Sequence, residues 1–251
     1  MWANAFCRLG AVAILLPLSF LASARNIEAV CPQKMRPICY QEHGEMKGVI
    51  VDLYRDLSKR LGRPIIVKVA PPKRIILRLK DGNLDIATVL YAEKRTSFSR
   101  YVSTPILPLK MVLFGTKEHY FAYQKISDLD DKVIGVRRGY HFTDEYAKAV
   151  QENKFQVIQA NSDDQLLALL EKGRVNYILT PEFVVASAGS RLSDAYIRYG
   201  YLSAERMIML AVSKQSPFYL RFDEVDKAVA EMSADGTLEK LQKRYFSLLN
   251  L

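Results

Sequence analysis

An arginine in a loop between two apolar runs is the first residue of this chain suited to chemistry on a ligand. Arg95 lies within GNLDIATVLYAEKRTSFSRYVSTP, from Gly82 to Pro105. The stretch reads as a helix end, a buried strand, a loop, and an aromatic and proline segment entering a second crossing strand. A guanidinium presents a rigid fork of donors that matches a carboxylate two-to-two, so Arg95 suits an anion anchor at the rim of a cleft. The plain alternative is a surface arginine serving solubility. Catalytic groups are scarcer. There are three histidines, no Ser-His-Asp ordering, no HxxxH or CxxC metal spacing and no phosphate loop. His141 with Glu182 is the one acid–base pair on offer, and each has a bland reading. A histidine at a helix start commonly caps or faces solvent, and a carboxylate in a first helical turn suits the dipole. A binding protein is therefore expected rather than an enzyme, without metal or cofactor.

The elements that must hold these residues alternate strand and helix. Ile27 to Val30 is a short strand. From Val49 to Leu61, Ile50, Leu53, Leu57 and Leu61 recur at helical spacing, and Gly62 sits where a helix would stop. IIVKVA, PPKRIILRLKDG and DIATVL follow as strand, helix and strand, with Pro at the helix entry and Gly at its exit. Such a βαβαβ run implies a parallel sheet covered by helices. The second half repeats the grammar with KVIGVR, FTDEYAKAVQEN, FQVIQA, DDQLLALLEKG, VNYILT, PEFVVASAGS and AYIRYG, with Ser162 and Gln165 forming a capping box. Two helices close the chain, split by Asp235-Gly236. LKMVLFGT and RMIMLAVS join the halves, so two lobes linked by a pair of hinge strands are expected, with a cleft outside the carboxyl ends of their strands. The expected partition is 25–112 with 211–251 for the first lobe and 113–210 for the second.

The N-terminus sets the compartment. Residues 1–24 carry one charge, Arg8, then an apolar run of about a dozen residues and Ala22-Ser23-Ala24, the pattern of a cleaved secretory signal. An uncleaved anchor is the competing reading, but a span needs roughly 20 apolar residues. Without that segment the chain keeps 35 basic and 27 acidic residues, net +8, dispersed rather than in runs. Dispersed charge on an exported protein argues against nucleic acid. Cys7 leaves with the signal. Cys31 and Cys39 remain, a plausible disulfide for an exported chain, with two free thiols or a metal pair as alternatives.

PICYQEHGEMKGVIVDLYRDLSKRLG, LKDGNLDIATVLYAEKRTSFSRYVSTPI, ISDLDDKVIGVRRGY, GRVNYILTPE and DGTLEKLQKRYF together cover nearly the whole mature chain. In order and spacing they resemble a periplasmic solute-binding protein of family 3, with the type 2 periplasmic-binding fold. The resemblance implies that Arg95 receives a ligand α-carboxylate beside Thr88 and Leu90. Leu90 replaces a hydroxyl residue common there, which Tyr91 or Thr88 would have to make good. In the second lobe it implies that Arg137 supplies the basic group, Gly139 the turn, and Tyr140, His141 and Phe142 a helix start whose free N–H groups favour an anion. Thr180-Pro181 stand where the family places an ammonium-binding Asp, with Glu182 one residue further on. Arg74 adds a cation near the cleft, and Tyr40, Tyr91 and Tyr140 offer rings for stacking. The implied ligand is a small organic acid or amino-acid-like molecule, bound by a monomer that serves an inner-membrane permease. A membrane sensor partner, or a dehydratase-like enzyme on the same fold, are the alternatives.

Overall fold

The computed structural model describes residues 25–246 apart from 33, 141, 189–191, 193 and 203–205. The expected signal segment, 1–24, lies outside the described residues, as does His141. From its first described residues the chain forms β1 (Ile27–Pro32), a hairpin of β2 (Tyr40–Glu42) and β3 (Glu45–Lys47), α1 (Val49–Leu61), β4 (Ile65–Ala70), α2 (Pro72–Lys80) and β5 (Ile86–Leu90). A 3-10 turn at Glu93–Arg95 leads to β6 (Ser99–Tyr101), β7 (Leu107–Leu109) and β8 (Met111–Thr116). Next come β9 (Val133–Arg137), α3 (Asp144–Gln151), β10 (Gln156–Ala160), α4 (Asp163–Glu171), β11 (Tyr177–Pro181), α5 (Glu182–Ala188) and β12 (Tyr196–Tyr201). The chain returns through β13 (Arg206–Ser213) to α6 (Phe222–Ala234) and α7 (Thr237–Phe246).

Two sheets result. The first runs β4-β1-β5-β13-β6, with β7 also on β13, and the second β10-β9-β11-β8-β12. Pairings among β1, β4 and β5, and among β9, β10 and β11, are parallel, as strand–helix–strand connections require. β8, β12 and β13 run antiparallel to their neighbours. The chain passes from the first sheet to the second between Leu109 and Met111, and returns by Arg206. Met111 and Val112 thus belong to the second sheet, and Arg206 to Leu210 to the first, where the sequence reading had each on the other side. The reason is pairing: an expected hinge strand carries whichever register its backbone hydrogen bonds complete.

Local sequence explains the elements that bear on the cleft. α1 buries Ile50, Leu53 and Leu57 on one face, each contributing about 1.5–3 kcal/mol relative to exposure, so Leu53→Ala would loosen the whole first lobe. Gly62 ends it in the left-handed region at φ 60°. At Gly48, φ is 128° and an added Cβ would stand 2.3 Å from the Ile38 carbonyl oxygen, so only glycine lets the hairpin pass the cysteine loop. A disulfide joins Cys31 to Cys39, and Met35 and Cys39 exchange backbone hydrogen bonds inside that loop. The capping box at α4 is shifted by one residue: Ser162 accepts from Gln165 N–H, while the Gln165 side chain accepts from Asn161 N–H. Among the described residues no helix is long and apolar enough to cross a membrane.

Candidate functional site

The carboxyl ends of β1, β5, β9 and β11 converge on a cavity of about 330 Å³ between the two sheets. The first lobe contributes Pro32, Met35 and Ile38 from the cysteine loop, Ile50, the start of α2, and Thr88 to Leu90. Met111, Gly139, Tyr140, Pro181 and Phe183 close it from the second. Most of this lining is aliphatic. Among the described residues no Asp or Glu lines it, and its two cations are Arg95 and Lys73.

Arg95 is placed by the 3-10 turn that follows β5. Its backbone N–H donates to Ala92 O and its Nη1 to Leu90 O at 2.6 Å, which folds the side chain back under the strand end. Only 7% of it is exposed, and no carboxylate pairs with it among the described residues. A buried guanidinium without a counter-charge retains donors for an incoming anion. Thr88 is occupied differently. Its N–H donates to Tyr54 Oη at 2.8 Å and its hydroxyl lies 2.9 Å from the same atom, so Tyr54 braces the strand end. Burial raises the Tyr54 phenol far above its ordinary pKa and keeps it neutral. Leu90 lines the cavity, whereas Tyr91 is 47% exposed and packs its ring 5.0 Å from that of Tyr101. Arg74 is also exposed and off the cavity. Lys73, exposed as well, borders the cavity at the start of α2.

The second lobe departs from expectation. Arg137 is buried, and its Nη1 donates to Asp163 Oδ2 at 2.5 Å, with longer approaches to Tyr140 Oη and Lys34 O. Tyr140 donates to Asp163 Oδ1 at 2.8 Å and presents its ring to the cavity. Burial pushes the Asp163 carboxyl up, against the pull of Arg137 and Tyr140. Arg137 therefore does not offer its charge to a ligand as expected, because Asp163 already holds it. Nor do Tyr140 and Phe142 open a helix: α3 begins at Asp144, Thr143 caps it by accepting from Tyr146 N–H, and Asp144 and Glu145 make its first turn acidic. Phe142 packs against Tyr140 and Tyr146.

Three further expected residues lie away from the cavity. Thr180 is fully buried in β11, its hydroxyl without a partner among the described residues. Glu182 pairs with Arg198 and accepts from Tyr201 Oη at 3.0 Å, at a separate pocket beside Leu107 and Phe246, so it does not replace an ammonium-binding Asp. That engagement also removes it from the acid–base pair. Tyr40 carries Arg36 over its ring at 4.0 Å and borders a second cavity of about 600 Å³, with Lys34, Gln41 and Asp164.

The model for bacterial extracellular solute-binding proteins, family 3, matches residues 27–248. The chain belongs to this family. It is 24% identical over 220 residues to the arginine-binding extracellular protein ArtP of Bacillus subtilis strain 168, covering 84% of this chain and 82% of that one. In three dimensions it is similar to an ancestral arginine-binding protein bound to arginine, with a TM-score of 0.76 at 21% identity over 88% of this chain and 98% of that one. A histidine kinase sensor domain with similarity to periplasmic binding proteins superposes with a TM-score of 0.75 at 15% identity, over 88% and 96% of the two chains. These likenesses establish the two-lobed fold.

For a solute-binding protein of family 3, two residues missed in the sequence matter most. Arg206 opens β13 at the return crossing, its Nη2 donating to Tyr91 O at 3.3 Å and its Nη1 to Phe142 O at 3.4 Å, so it bridges the lobes. Burial, then the nearby charge of Arg95, lowers its pKa. Asp163 is the other; in the sequence it reads as the first residue after a helix cap, which hides its pairing with Arg137.

Proposed function

We propose that this chain captures a small carboxylate-bearing molecule, amino-acid-like or an organic acid, in the cavity between its lobes and hands it to a membrane permease for uptake. The observation that carries the reading is Arg95, buried at the cavity against the Leu90 carbonyl and the Tyr101 phenol, with no carboxylate partner among the described residues. The moving bodies in this reading are the two sheets with their helices, hinged near Leu109–Met111 and Arg206. Ligand bound to both walls favours the closed arrangement by its differential affinity for it. The cleaved signal and periplasmic location complete the reading, in keeping with an extracellular family.

The test is a thermal-shift screen of amino acids and short carboxylic acids. A ligand selective for the folded protein raises the midpoint with its concentration over Kd. Arg95→Gln should remove that rise. A rise of unchanged size in the variant would refute the assignment. The likeness to a kinase sensor domain supports a second reading, ligand reporting to a membrane signalling partner. Pull-down with a permease rather than a receptor decides between the two. Catalysis is not supported, since Glu182 is held by Arg198.

A further inference from the structure

The cavity's polar groups are few, and nearly all of them are already committed. Leu90 O accepts from Arg95, and Thr88 is bound to Tyr54. Tyr140 Oη donates to Asp163, whose two carboxylate oxygens are divided between Tyr140 and Arg137. The aromatic rings are little freer as cation acceptors, because the Arg137 guanidinium lies 5.4 Å from the centroid of Tyr140 and Phe183 packs against Phe246. Against this stands a lining with the buried cation Arg95, an exposed Lys73 at its edge, and no Asp or Glu among the described residues.

An α-ammonium group brought into these surroundings loses its water, meets no carboxylate among the described residues and is repelled by the buried Arg95. Burying a charge unpaired costs far more than a hydrogen bond returns. A carboxylate meets the reverse situation at Arg95, and a hydrocarbon body finds Met35, Ile76, Leu77, Leu109, Met111 and Ile208 around it. A volume of about 330 Å³ is at the small end of ligand sites, enough for a compact acid.

From this we infer that the cavity selects a carboxylic acid with an apolar body and no α-ammonium group, a branched aliphatic or aromatic acid rather than an amino acid. The inference rests on the proposed role of Arg95 as carboxylate anchor and narrows it. Calorimetric titration of the purified protein with matched pairs tests it: 4-methylpentanoate against L-leucine, and 3-phenylpropanoate against L-phenylalanine. In at least one pair the acid should bind at least about tenfold more tightly than its amino counterpart. Equal or tighter binding of both amino acids, or no binding by any of the four, would overturn it. Arg95→Gln separates the two levels. If amino acids win and the variant abolishes their binding, the anchor stands and only the selectivity fails; if the variant leaves all binding unchanged, the anchor fails as well.

Discussion

The two walls of the cavity each bury an arginine, and the two arginines do different things. Arg95 in the first lobe is 7% exposed and bonded to a carbonyl; Arg137 in the second is 3% exposed and bonded to Asp163. Residue type and burial are alike. What separates them is the counter-charge: a buried cation with its own carboxylate is structural, and one without is available to a ligand. Changing the counter-charge, rather than the cations, tests that difference.

The largest effect belongs to Asp163. Asp163→Ala leaves the Arg137 charge buried and unpaired, which costs about 3–5 kcal/mol of stability. Urea denaturation should show this as a lower midpoint, and a second variant that also carries Arg137→Met should recover most of the loss. A loss under about 1 kcal/mol in the single variant would mean that Arg137 does not depend on Asp163, and the contrast between the walls would collapse.

A smaller effect is expected at Arg206, which spans the walls through Tyr91 O and Phe142 O. Arg206→Gln removes a bridge of two long hydrogen bonds, worth about 1 kcal/mol in favour of the closed arrangement. Small-angle scattering of the ligand-free protein should report a larger radius for the variant. An unchanged radius would place the bridge outside the closing motion.

The smallest effect comes from an exposed pair that serves as reference for the buried one. Asp235 is held at about 2 by hydrogen bonds from Thr237 and Arg60. Its folded pKa lies below the ordinary 3.8, so its contribution is present above that value and is lost as pH falls toward 2. Thermal midpoints of wild type and Asp235→Asn should differ slightly above pH 4 and converge toward pH 2. A gap that widens on acidification would contradict the sign.

These contrasts explain what the sequence made legible. Periodicity revealed α1, since Ile50, Leu53 and Leu57 share a face and Gly62 stops it, and strand–helix alternation revealed the two parallel sheets. The hairpin β2–β3 leaves no strand signal because Gly44 and Gly48 dominate so short a stretch, and β6 and β7 are only three residues long. Within the site, Arg95, Thr88, Leu90 and Tyr140 do line the cavity. Arg74 and Lys73 were not separable, because neighbouring helical residues point about 100° apart and a linear pattern of one helix fixes only its apolar face. Arg137 was misassigned for a deeper reason. Its partner lies 26 residues away on another element, and charge compensation between elements leaves no local trace.

If Arg95 is the anchor, replacing it in Arg95→Gln removes the grip on the ligand carboxylate. Wild type and variant are both titrated with the acid or amino acid that most raises the wild-type midpoint. The variant should lose about 2–5 kcal/mol of affinity and about 1–2 kcal/mol of ligand-free stability, the latter from the Leu90 hydrogen bond. Retained affinity in Arg95→Gln would contradict the anchor role and leave the first wall's arginine as structural as the second's.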